Sequence, residues 1–291
     1  MRNLKPFKIT YIKTGLLACF LVFLTSCQPK KPSTKQKSKD STSSKVITPE
    51  FQSILDSAKV TGSILIYDLE DKRYYSNDFK WTENGYLPAS TFKITNAIIA
   101  LETGVIKNDS SVFKWNGKER RLKTWERDLT FTEAFHASCV PCFQELAQKI
   151  GPEKMNLYLK KLNYGAMQVS ASNIDLFWLA GDSKINQLEQ IDFLKRLYQS
   201  QLPISKRTEN IIKRMMLINE NDGYTISGKT GWSIRNGHNN GWFVGWLKTA
   251  NKVYFFATNI NPKQQFNMSL FPVIRKSITQ QAFKELGIIK N

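Results

Sequence analysis

Histidine is nearly missing from this chain: among 291 residues there are two, His136 and His238. With so few candidates a Ser-His-Asp triad is not expected, and no H-E-x-x-H zinc helix occurs. Cysteine is almost as scarce. Cys19 and Cys27 fall in the N-terminal segment, which leaves Cys139 and Cys142 for the folded part. That is no disulfide framework. With His136 they form an H-x2-C-x2-C string that has no evident fourth ligand for zinc, so the pair is read as buried thiols and no metal is expected. Acid is short as well, leaving a net charge of +18. About half of that excess lies in residues 1–13 and 28–46. The rest is spread among acids without the aromatic interleaving of a strand-binding groove, so nucleic acid is not expected as a partner.

A long hydrophobic span is also lacking. Arg2, Lys5, Lys8 and Lys13 lead into "GLLACFLVFLTSC", an apolar run too short for a comfortable membrane crossing. It ends in Leu24-Thr25-Ser26-Cys27, which resembles the bacterial lipobox. The expectation is a signal peptide over 1–26, lipidation of Cys27, a Lys/Ser-rich tether over 27–46 and a folded domain over 47–291. Such a protein sits in the bacterial cell envelope, periplasmic and lipid-anchored to a membrane. Gln28 after the cysteine, by the enterobacterial sorting rule, points to the outer membrane.

In the folded part, two strand-like runs, "GSILIYDLE" and "RYYSN", meet at the turn Glu70-Asp71-Lys72. An apolar helix follows from Ser90, and then a mainly helical stretch with three-to-four apolar spacing. Three further strand-like runs, "GYTISGKTGWS", "GWFVGWLKT" and "KVYFFATNI", precede a last amphipathic helix from about Leu270 to Leu286. This order predicts an α+β fold: a central antiparallel sheet flanked by helices, with an all-helical lobe inserted between the N- and C-terminal strands.

The apolar helix poses the chemical question. In "PASTFKITNAIIALETG" no polar face is left for the ammonium of Lys93. Three residues earlier stands Ser90, on the same face and within reach. Burial lowers a lysine's pKa, and a neutral amine can take the serine proton or react with carbon dioxide to give a carbamate, a better proton acceptor still. Ser138-Cys139-Val140 and Lys229-Thr230-Gly231 follow in the chain. The order S-x-x-K, S-x-V, K-T-G is the fingerprint of the penicillin-recognising serine enzymes. In an acyl-transfer site Ser90 is the nucleophile, Ser138 relays a proton, Lys229 and Thr230 meet a substrate carboxylate, and the backbone N–H groups of Ser90 and Trp232 form an oxyanion hole.

Residues 48 to 290 resemble the class D serine β-lactamases, the oxacillinases. "PASTFKI" is similar to their nucleophile motif, "FKWNGKERRLKTWERDLT" to the stretch that brings Trp125 to the site, and "NIDLFWLAGDSKIN" to the one carrying Trp178 and Leu179. The resemblance implies β-lactam substrates and N-carboxylation of Lys93 from carbon dioxide or bicarbonate, with the carbamate as base in acylation and deacylation. It further implies support of that base by Val140, Trp178 and Leu179. Substrate binding would fall to Thr230, Gly231, Arg275 and Trp125. One departure is Tyr164-Gly165-Ala166, with alanine where the family has asparagine. Two alternatives stand beside this reading: a β-lactam-sensing receptor domain that stays acylated, and a small penicillin-binding D,D-peptidase.

Overall fold

The computed structural model describes residues 43–220 and 223–290. The leader, Cys27 and the first part of the tether lie outside the described residues. Ser44–Ile47 forms β1, so Ser44, Lys45 and Val46 of the expected tether belong to the sheet. Helix Pro49–Ser57 (α1) begins on a proline, whose missing N–H is no loss at a first helical position. The expected hairpin follows as Val60–Asp68 (β2) and Arg73–Ser76 (β3).

Helices then take over. Phe79–Thr82 (α2) precedes a 3₁₀ turn at Ala89–Phe92, which runs into Lys93–Glu102 (α3). Val112–Phe113 (β4) and Leu129–Thr130 (β5) make a small separate ribbon. Phe131–His136 (α4) starts on a capping box between Thr130 and Glu133. Val140–Ile150 (α5) stops at Gly151, whose φ of 78° suits glycine, and Pro152–Leu162 (α6) restarts at once. Gln187–Tyr198 (α7) opens on a second capping box, Asn186 with Glu189, and Lys206–Met216 (α8) closes the lobe.

The chain returns to the sheet through Leu217–Glu220 (β6), Tyr224–Arg235 (β7), His238–Thr249 (β8) and Val253–Pro262 (β9), and ends in Phe271–Glu285 (α9). Asn236 and Gly237, both at positive φ, make the tight turn between β7 and β8. The strand order is β1-β3-β2-β9-β8-β7-β6. All neighbours are antiparallel except β1 and β3, which the sequence reading did not anticipate. Along β2, Leu65 and Tyr67 enter one core while Ile64 and Ile66 enter the other. Both sheet faces are therefore covered, α1 and α9 on one side and the helical lobe on the other. The expected α+β architecture is present. Among the described residues no helix is long and apolar enough to cross a membrane.

Candidate active site

Every residue of α3 from Lys93 to Leu101 is buried, because α5, α6 and α8 pack around it. This is why the sequence offers no polar face, and it leaves the lysine inside. Ser90 sits in the 3₁₀ turn just before α3, where side chains three apart eclipse one another. Lys93 Nζ lies 3.0 Å from Ser90 Oγ. The turn is held from below by the Ala89 N–H, which donates to Trp178 O at 2.8 Å, with Ala89 itself at a φ of 50°.

The amine is enclosed by rings. Lys93 Nζ stands 5.3 Å from the centroid of Phe143, and Phe92 stacks on Trp178 at 5.5 Å. Burial alone pulls the Lys93 pKa down to about 7. Val140 and Leu179 are half-buried against the same core cluster. Trp178 is fully buried, yet its Nε1 has no hydrogen-bond partner. A buried donor left unpaired is expensive, so this indole is built for an acceptor.

Ser138 occupies the turn between α4 and α5 at a φ of 52°, an uncommon conformation for serine. Lys229 Nζ, from β7, donates to its Oγ at 2.5 Å. Burial drives the Lys229 pKa well below the usual lysine value, and the nearby charge of Lys93 adds to the effect. Among the described residues no carboxylate forms an ion pair with Lys93 or Lys229, which keeps both amines easy to deprotonate.

Gly231 explains how β7 comes so close. A Cβ there would meet Pro88 O at 3.0 Å and Thr91 Cγ2 at 3.1 Å, so the absent side chain lets the strand lie against the turn that carries Ser90. Trp232 follows directly along that strand. Arg275 of α9 reaches the same point, donating through its guanidinium to Gly231 O, Phe271 O and Pro272 O. Its burial brings its pKa down to about 10. Thr230 is half-buried and lines a cleft of about 180 Å³ with Phe135, His136, Lys229 and Lys276. Lys276, a second cation on this cleft, was not singled out in the sequence, although it adjoins Arg275 in "VIRKSI".

Other expectations are corrected by the geometry. Cys139 and Cys142 are not thiols but a disulfide, formed across the first turn of α5. The zinc string is ruled out with it, since His136 Nε2 donates instead to Met215 O at 2.7 Å. Trp125 is almost wholly buried, and its Nε1 donates to Ala137 O at 2.9 Å, so it braces the turn carrying Ser138. Arg120, unmarked in the sequence, donates to Trp125 O and lies against both sulfurs, at 3.8 and 3.9 Å. At Ala166 the missing asparagine amide leaves backbone pairing intact, because Ala166 and Lys184 exchange two N–H···O bonds of 2.8 Å.

The chain is similar to known proteins in sequence and in fold. The penicillin binding protein transpeptidase domain family matches residues 55–281. Beta-lactamase OXA-10 of Pseudomonas aeruginosa is 42% identical over 79% of this chain and 86% of its own length. The crystal structure of a class D β-lactamase from Sebaldella termitidis superposes with a TM-score of 0.81 at 36% identity, covering 86% of this chain and all of that one. The class D β-lactamase YbXI from Nostoc gives a TM-score of 0.77 at 40% identity over 81% of this chain and 98% of that one. With identity at this level over nearly the whole described region, and the paired serines and lysines in one site, the chain belongs to the class D serine β-lactamases.

Proposed function

We propose that the chain hydrolyses β-lactams through an acyl-enzyme on Ser90, with Lys93, carboxylated in its working state, as the base. The observation that carries this reading is the contact between Ser90 Oγ and a fully buried Lys93 whose pKa falls to about 7. Near neutral pH such an amine is free to take a proton or to react with carbon dioxide. The unpaired Trp178 Nε1 fits a carbamate oxygen, and Val140 and Leu179 would shield it. That group would supply a stronger proton acceptor than the amine.

The other roles follow from the side chains in place. Ser90 Oγ attacks the ring carbonyl and gives up its proton toward Lys93. Backbone N–H groups of Ser90 and Trp232 receive the developing oxyanion. Lys229 and Ser138 pass a proton to the ring nitrogen as the C–N bond breaks. Thr230 and Arg275, with Lys276 on the cleft wall, attract the substrate carboxylate. Water then attacks the ester carbonyl, its proton leaves toward Lys93, and Ser90 departs reprotonated.

The localisation belongs to the same proposal. Residues 1–26 act as a signal peptide, Cys27 carries lipid, and the tether holds the catalytic domain on the periplasmic side of a bacterial membrane. The lipobox-like Leu24-Thr25-Ser26-Cys27 supports this.

A chromogenic cephalosporin tests the chemistry. Sustained hydrolysis that rises with added bicarbonate is expected. A single stoichiometric burst, with a stable adduct on Ser90 by intact mass, would make the protein a sensor or a penicillin-binding protein instead.

A further inference from the structure

We propose that the Cys139–Cys142 disulfide is a positioning element of the active site, holding Ser138 and Val140 for turnover, so that reducing it slows the enzyme. This rests on the hydrolytic reading above. The bond closes a ring of four residues. Ser138 adjoins the ring and Val140 lies within it. One of these touches Lys229, and the other packs against the core that encloses Lys93.

Three observations set this bond apart from ordinary packing. First, Ser138 holds a φ of 52°, which persists only where its surroundings over-determine it. On one side Trp125 fixes Ala137, and on the other the Cys139 N–H donates to Ala134 O at 2.9 Å while its side chain is tied to Cys142. Second, a ring this short removes little freedom from the unfolded chain, so its effect falls on local geometry rather than on global stability. Third, capping does not call for cysteine. Cys139 Sγ accepts the Cys142 N–H at 3.3 Å, a task that serine, aspartate or asparagine performs better.

The surroundings also make the bond switchable. Arg120 places its guanidinium against both sulfurs at the N-terminal end of α5. A cation there stabilises a thiolate, which favours the reduced form and lowers the barrier to exchange. Both cysteines are buried, so a small dithiol is the appropriate reductant. Dithiothreitol supplies two electrons and two protons: the S–S bond breaks, two cysteine thiols form, and the reagent closes to its cyclic disulfide.

The experiment uses the full chain. Alkylation with iodoacetamide and peptide mass mapping reads the state of Cys139 and Cys142 before and after dithiothreitol. Hydrolysis is measured in both states, per active site titrated on Ser90, beside a melting curve. The pair should be unlabelled at first and labelled after reduction. Reduction should lower kcat and kcat/KM together by about tenfold with KM unchanged, as for groups acting in the transition state. Diamide should restore the rate. A Cys139→Ser/Cys142→Ser double variant should show the low kcat throughout and ignore dithiothreitol. Labelling of both cysteines in the untreated protein would overturn the proposal. Equal kcat per titrated site in the oxidised and reduced enzyme would do so too. Absence of hydrolysis in every state would instead defeat the hydrolytic reading, and this inference with it.

Discussion

Lys93 Nζ and Ser90 Oγ lie 3.0 Å apart on consecutive turns of one segment, inside a shell of Phe92, Phe143 and Trp178. The distance allows direct proton transfer and the shell removes the water that would keep the amine charged. The proposed nucleophile and base are thus neighbours in sequence, and the packing around them sets their chemistry.

Lys93→Ala should reduce hydrolysis by about a thousandfold or more, within the range assigned to a general base and its nucleophile acting together. The fold should survive, because loss of the buried amine's desolvation cost offsets the cavity that the truncated side chain leaves. Steady-state rates and a thermal melt check this together; an active variant would refute the role of Lys93.

The depressed pKa of Lys93 carries a pH signature for stability. Its folded value is about 7 against an ordinary lysine value of 10.5. Between these the unfolded chain binds the extra proton, so stability rises with pH across roughly 7 to 10.5. The full penalty, on the order of 5 kcal/mol, is present below that window. Denaturant melts in carbon dioxide-free buffer should show a shallower rise with pH for Lys93→Met than for the parent. Matching slopes would place the titration elsewhere.

Trp178→Phe deletes an indole donor that has no partner while keeping a ring against Phe92. If that donor serves a carbamate, the bicarbonate needed for half-maximal activity should rise about tenfold, the worth of one hydrogen bond to a charged group. Melting should change little. A bicarbonate titration identical to the parent's would dissociate Trp178 from the base.

Gly231→Ala forces a Cβ to within 3.0 Å of Pro88 O and 3.1 Å of Thr91 Cγ2. Strand β7 and the nucleophile turn must move apart, and a shift of this kind should lower kcat/KM by about a hundredfold. The measurement is kcat/KM beside a melting curve. A variant with unchanged kinetics would show that the close approach has no part in catalysis.

The turn Glu70-Asp71-Lys72, the apolar run after Ser90 and the amphipathic pattern from Leu270 to Leu286 were all local signals, and the hairpin and helices they predict are present. The motif residues Ser90, Lys93, Ser138 and Lys229 were legible for the same reason. Unusual residue types, such as a lysine in an apolar helix, mark their own positions. Strand β1 was missed because all its residues but Val46 are polar or exposed and its pairing is with a strand beyond α1. Arg120 and Lys276 were missed because a surface cation looks the same wherever the chain takes it.

The S-x-x-K, S-x-V and K-T-G motifs, their order and the class of fold were therefore legible in the sequence, because all of them depend on residue identity at short spacing. Tertiary structure decided which groups meet across long separations. It brought Lys229 to Ser138, laid Gly231 on the nucleophile turn and left Trp178 Nε1 without a partner. It also joined Cys139 to Cys142, which residue identity had left as thiols. Burial and distance are properties of the packed chain, and they turn an ordinary lysine into one that loses its proton near pH 7.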